Sequence, residues 1–194
     1  MDKILIVKIG GKLINNSHVL HRFLKSFAKI KTKKILIHGG GNQVTEMCKK
    51  LNLDVKIRNG RRITSIQDLE VAAMIYAGSL NKTLVTKLQS FNCNSIGLSG
   101  ADANLIESVK RPVKEIDYGL VGDIKKINSI FLKKLIDQNL TPVICSITHD
   151  KNGQLLNTNA DTISSEIAIS LSKYYTVDLI YCHEKNGVLS NPND

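Results

Sequence analysis

Lys8 closes a short apolar run, Ile4-Leu5-Ile6-Val7, and is followed by Ile9-Gly10-Gly11. A lysine near the end of a buried strand needs an anion, because an unpaired buried charge is costly. A phosphoryl group in transfer is such an anion. The plainer alternative is a lysine on an edge strand with its ammonium in water. A second glycine turn, His38-Gly39-Gly40-Gly41, follows Ile35-Leu36-Ile37. Glycines let backbone N–H groups approach an anion, and a following helix N-terminus adds positive potential. Two such turns at one sheet edge suggest a divided anion or phosphate site, against tight turns with no ligand.

Two later motifs extend the set. Gly60-Arg61-Arg62-Ile63-Thr64 carries two of the five arginines. A planar guanidinium fork suits a carboxylate, although a hairpin with exposed arginines fits the same residues. Asn157-Thr158-Asn159-Ala160-Asp161 opens a helix. Alternation puts Asn157, Asn159 and Asp161 on one side while the segment is extended. Helix capping by Asn159 or Asp161 is the plainer role.

Other chemistries lack their residues. There is no G-x-x-x-x-G-K-[ST] and no G-x-G-x-x-G, so the common phosphate fingerprints fail. His38-Gly39-Gly40-Gly41 also resembles a lipase oxyanion loop, but no G-x-S-x-G elbow accompanies it. A calcium loop from Asp150 fails because Leu155 occupies the glycine position. His18, His21, His149 and His183 have no metal-ligand spacing, so no metal site is expected. Cys48, Cys93, Cys145 and Cys182 form no C-x-x-C pair and read as core thiols of a reduced, cytoplasmic protein.

The elements that must position these residues alternate. Short β-branched runs at Ile4–Ile9, Ile35–Ile37, Ser95–Leu98, Pro142–Ile147 and Val177–Tyr181 read as buried strands. Helical spacing is predicted after Ser17, which can cap, and through Val44, Met47, Cys48 and Leu51. A long helix is predicted from Asp68 to Phe91, with close packing at Gly78. Two more are predicted, from the cap Asn128 to Gln138 and from Thr162 to Tyr174. Arg58-Asn59-Gly60-Arg61 and Asn152-Gly153 signal hairpin turns, and residues 104–127 read as hairpin material. Strand and helix in alternation predict an α/β class with an open, mostly parallel sheet between helices.

The chain has 194 residues, 42% hydrophobic and 23% charged, with a net charge of +10. That content excludes disorder. The charge invites a nucleic-acid reading, but 22 of the 27 basic residues are lysine, and aromatics are 5% with no Trp. Readers of nucleic acid favour arginine forks and stacking aromatics, so no nucleic-acid partner is expected. No stretch approaches the ~20 apolar residues of a membrane span, and no membrane partner is expected.

Taken in order, Lys-Ile-Gly-Gly, His-Gly-Gly-Gly, Asn-Gly-Arg-Arg-Ile-Thr and Asn-Thr-Asn-Ala-Asp resemble the amino-acid kinase family. Lys110 to Gly119 with Val121-Gly122-Asp123 resembles its Bacteroidetes branch. The resemblance implies the amino-acid kinase fold, with β-hairpins at the substrate site. It implies phosphorylation of the side-chain carboxylate of N-acetyl-L-glutamate, in arginine biosynthesis. ATP with Mg2+ would be the co-substrate, and there would be no tightly bound cofactor. A close N-acyl analogue such as N-succinyl-glutamate is an alternative, as is a catalytically impaired binding remnant.

By the same resemblance, Lys8 and Asp161 would be catalytic. Gly40, Gly41, Arg62, Asn157 and Asn159 would bind substrate. Gly10, Gly11, Glu184 and Gly187 would bind nucleotide. Residues 1–175 would form the acyl-amino-acid lobe and 176–194 the start of an incomplete nucleotide-binding lobe. A homodimer through the long helix near Gly78 is expected.

Overall fold

A computed structural model describes residues 1–182; Glu184 and Gly187 lie outside them. In chain order the first elements are β1 (Lys3–Ile9), α1 (Gly11–Asn15), α2 (Ser17–Lys29), β2 (Lys33–His38) and α3 (Gly41–Lys50). The hairpin β3 (Ile57–Arg58) and β4 (Arg61–Arg62) follows, then α4 (Ile66–Ala73), a π-helical turn (Met74–Leu80) and α5 (Asn81–Ser90). Next come β5 (Ser95–Leu98), β6 (Ile106–Lys110), β7 (Gly122–Ile127) and α6 (Ser129–Asp137). The described part ends with β8 (Thr141–Cys145), β9 (Ile147–His149), β10 (Leu155–Asn157), α7 (Ala160–Leu171) and β11 (Thr176–Cys182).

Five strands form a parallel sheet in the order β11-β1-β2-β8-β5. Both faces are covered because these strands are apolar on both sides. Ile4, Ile6, Ile35, Ile37 and Ile144 pack with Leu132 and Ile136 of α6 and Ile163, Ile167 and Leu171 of α7. Val7, Ile9, Leu36 and Val143 face the other way, onto Leu20, Leu24 and Phe27 of α2 and Leu84 and Leu88 of α5. Burying each such side chain contributes roughly 1.5–3 kcal/mol, so these two interfaces fix the strand register. A second sheet, β10-β9-β6-β7, and the β3–β4 ribbon lie beyond the parallel sheet. The class expected from the alternating pattern is therefore the observed one.

Several local expectations change. Asn16, not Ser17, caps α2, accepting from the amides of His18 and Val19. The helix expected to run unbroken from Asp68 is two α-helices joined by the π turn, with Gly78 inside it. Close packing at Gly78 is absent: an added Cβ would meet nothing within 4 Å among the described residues. Pro142 to Ile147 is two strands that change sheets at Ser146. Alternation and periodicity could not see these features, because they depend on which sheet or loop receives the chain. The hairpin expected at Asn152-Gly153 is present, joining antiparallel β9 and β10, with Asp150 Oδ1 accepting from the amides of Asn152 and Gln154.

Candidate active site

Parallel strands place their carboxyl ends at one edge, where ligands of open α/β sheets bind. Because β1 and β2 are neighbours, their two glycine turns lie side by side, and the amide of Gly39 donates to the carbonyl of Ile9 at 3.3 Å. A cleft of about 330 Å³ opens there, with Lys8, Gly10, Gly11, Gly40, Gly41, Arg62, Asn157, Asn159 and Asp161 all among its lining. Every described residue assigned to the site from the sequence is thus gathered in one place.

Lys8 shares the face of β1 that carries Ile4 and Ile6, so it leans toward the N-terminus of α7. Its Nζ lies 2.8 Å from Asp161 Oδ1, with the two side chains 12% and 47% exposed. The contact is an ion pair, and Asp161 Oδ1 has no aligned hydrogen bond among the described residues. Tyr181 Oη donates to the Asp161 carbonyl at 3.3 Å. Gly10 makes room for the ammonium: a Cβ there would stand 3.1 Å from Lys8 Nζ.

The second turn is shaped by one residue. Gly40 has φ +151°, and a Cβ on it would come 2.8 Å from Leu80 Cδ2 and 3.1 Å from Tyr76 Cε1. Only glycine combines that backbone with that contact. Gly40 is also the N-cap of α3 and offers no side-chain cap. The first amides of α3 therefore lack a side-chain acceptor, which suits an incoming anion.

Arg62 enters from the hairpin, whose turn residues Asn59 and Gly60 both have positive φ. Its Nη2 donates to Thr45 Oγ1 at 2.5 Å and to the Gly41 carbonyl at 3.2 Å. Its Nη1 is 3.6 Å from Asp68 Oδ1, and both side chains are less than a tenth exposed. Nη1 is buried with no hydrogen-bond partner among the described residues. Asp68 compensates the buried charge at ion-pair distance, and Arg62 still lines the cleft.

The last motif divides its labour. Asn157 Nδ2 donates to Thr64 Oγ1 at 3.1 Å. Asn159 caps α7, its Oδ1 accepting from the amides of Asp161 and Thr162 at 2.7 and 3.1 Å. Capping, its plainer sequence role, is thus in place, while the residue still lines the cleft. Lys8, Arg61 and Arg62 face a single lining carboxylate, Asp161, so the cleft favours an anionic ligand. Among the described residues no group of three His, Cys, Asp or Glu is gathered to hold a metal.

Sequence reasoning missed Thr45, Asp68, Tyr76 and Ser146. Asp68 had a usable signal, the capping-box spacing Ser65-x-x-Asp68, and both reciprocal hydrogen bonds are made. Ser146 stands at the carboxyl end of β8, and its Oγ donates to the His38 carbonyl at 2.9 Å. Tyr76 lines the cleft, and burial pushes its phenol up to about 12, so it remains protonated. Its place depends on the π turn, which has no signal in residue spacing.

Comparison with known proteins extends this picture. The acetylglutamate kinase of Cytophaga hutchinsonii is 50% identical over all of this chain and 74% of its own length. The acetylglutamate kinase of Parabacteroides distasonis is 47% identical, over all of this chain and 76% of its own. A crystal structure of a Streptococcus mutans protein superposes with a TM-score of 0.83 at 25% identity, over 97% of this chain and 75% of that one. The amino acid kinase family as a whole matches residues 3–194. With that match and these relatives, the chain belongs to the amino acid kinase family.

Proposed function

We infer that the chain transfers the terminal phosphoryl group of ATP to the side-chain carboxylate of N-acetyl-L-glutamate, the reaction for which its relatives are named. The observation that carries this reading is the placement of Lys8 and Arg62 in one cleft with both glycine turns. A carboxylate nucleophile needs no proton removed. One of its oxygens forms a bond to the γ-phosphorus as the bond to the ADP oxygen breaks, giving an acyl phosphate and ADP. Catalysis of this kind is positioning plus charge stabilisation.

The residue roles follow from chemistry. Lys8 offers its ammonium to the transferring phosphoryl oxygens, and Asp161 holds that ammonium in place. Gly10 and Gly11 admit the ATP phosphates close to the backbone. Gly40 and Gly41 present amides to the acyl-amino acid. Arg62 pairs with its α-carboxylate, with Asn157 and Asn159 beside it. Mg2+ would enter on the ATP phosphates and neutralise part of their charge. The nucleotide roles proposed for Glu184 and Gly187 fall outside the described residues.

The division into lobes is also a proposal. We infer that residues 1–175 hold the acyl substrate and that 176–194 lead into the nucleotide-binding part. Strand β11 already pairs with β1 along its length, which supports a sheet shared by both parts. A homodimer through the α4–α5 run is supported by Ile66 and Met74, 68% and 59% exposed. Sedimentation velocity at micromolar protein tests it, and a monomer at every concentration overturns it.

Hydroxylamine trapping tests the reaction. Hydroxamate that requires both ATP and N-acetyl-L-glutamate supports the reading. A folded chain that forms no hydroxamate, and binds no N-acetyl-L-glutamate in calorimetry, overturns it.

A further inference from the structure

Beneath the second glycine turn lies a buried relay that the reaction does not use directly. Asn81, at the start of α5, is 1% exposed, and His38, at the end of β2, is fully buried. Asn81 Nδ2 donates to the carbonyl of Val143 at 3.0 Å. A carbonyl can only accept, so this contact fixes which end of the amide is nitrogen. The same Nδ2 lies 3.0 Å from His38 Nε2. Nε2 therefore accepts, and in the neutral ring the proton sits on Nδ1. Nδ1 is 3.0 Å from the carbonyl oxygen of Gly39, to which it donates.

Burial keeps the ring in this neutral state, lowering the imidazole from 6.5 to about 4, with the Gly39 carbonyl pulling weakly the other way. The fit of the amide is tight. A Cβ at Gly97 would fall 1.8 Å from Asn81 Oδ1, so that glycine is what admits the side chain.

The consequence lies one peptide further on. In a trans peptide the carbonyl and the following N–H point to opposite sides. There is no cis bond among the described residues. Drawing the Gly39 carbonyl toward the buried imidazole thus turns the Gly40 N–H the other way, and Gly40 lines the cleft. We propose that Asn81, acting through the Nδ1–H tautomer of His38, is a positioning residue that aims the Gly40 amide at the acyl substrate. The substrate identity rests on the function proposed above; the relay itself does not.

Two measurements test this. Long-range ¹H–¹⁵N correlation on the labelled, unaltered chain reads the tautomer directly. Nδ1–H at neutral pH is expected, and Nε2–H overturns the proposal whether or not any variant folds. Calorimetry with N-acetyl-L-glutamate then compares Asn81→Leu, His38→Leu and His38→Asn. His38→Leu loses the donor to Gly39, and Asn81→Leu frees the ring to take the other tautomer, so both should bind about tenfold more weakly or worse. The amide of His38→Asn can replace Nδ1–H and should recover most of that affinity. Loss of packing alone would weaken His38→Asn and His38→Leu alike, and that result, or unchanged affinity in both leucine variants, overturns the proposal. If the unaltered chain fails to bind N-acetyl-L-glutamate, the substrate reading falls, and the tautomer still decides the relay.

Discussion

The ammonium of Lys8 and the carboxylate of Asp161 lie 2.8 Å apart, joining the end of β1 to the first turn of α7. The lysine is the more buried partner, so it depends on the aspartate more than the reverse. Asp161 also sits at a helix N-terminus, where a negative charge is stabilised.

This pair predicts unequal variants. Lys8→Met removes the charge that meets the phosphoryl group, and kcat should fall about 10²-fold or more. Asp161→Asn leaves the ammonium present and poorly held, so its loss should be smaller but still severe. Hydroxamate formation measures both, and near-normal turnover in Lys8→Met would refute its role.

Arg62 and Asp68 predict a split between binding and stability. Arg62→Leu strips the partner from a carboxylate whose side chain is 6% exposed. Breaking such a pair costs about 3–5 kcal/mol, so Tm should drop along with substrate affinity. Asp68→Asn retains an oxygen for the Ser65 amide and should spare the helix cap. It should raise KM for the acyl substrate with little change in KM for ATP. An unaltered KM for the acyl substrate would show that Asp68 does not hold the guanidinium for binding.

Acid should weaken the fold through His38 before it reaches the carboxylates. The ring is neutral in the folded chain down to about pH 4, while in the unfolded chain it protonates near 6.5. The unfolded state therefore binds the extra proton across that window. Stability from this residue is complete above about pH 6.5 and is lost as pH falls toward 4. The interval corresponds to about 3 kcal/mol. Asp137, held down to about 2 chiefly by its hydrogen bond from Lys133, loses its contribution only below its ordinary 3.8. Urea titrations of the unaltered chain and of His38→Asn from pH 7 to 4 separate the two. Parallel pH profiles would contradict the assignment.

Two glycines should respond oppositely to alanine. Gly40→Ala meets Leu80 and Tyr76 and adopts an unfavourable φ, so both Tm and acyl-substrate affinity should fall. Gly78→Ala meets nothing within the described chain and sits in helical backbone, where alanine gains about 1 kcal/mol. A raised Tm is expected for a monomer. If the proposed dimer buries Gly78, the same variant should weaken association, which sedimentation velocity reads.

Much of this was legible in the residues. Runs such as Ile35-Leu36-Ile37 are apolar on successive positions, as a strand buried on both faces requires, and both faces are indeed covered. Asn128 capped its helix as read, and Asn-Gly at residues 59 and 60 made its hairpin. The misread positions have local physical causes. Asn16 and Ser17 are both good caps, and only the direction of the incoming chain chooses between them. The π turn inserts an extra residue into a helix whose apolar spacing still looks continuous, and it carries Tyr76 and Leu80 to Gly40.

The sequence by itself determined the strand and helix order, the two glycine turns and the cations Lys8 and Arg62, because these depend on residue type and near-neighbour spacing. The tertiary structure decided which partners those residues meet. Asp161 reaches Lys8 across 153 positions, Asp68 stands behind Arg62, and Asn81 reads the carbonyl of Val143 to set the ring of His38. Such pairings depend on strand order and on close packing between helices and sheet. A buried charge or polar group states in the sequence that it needs a partner; only the folded chain names one.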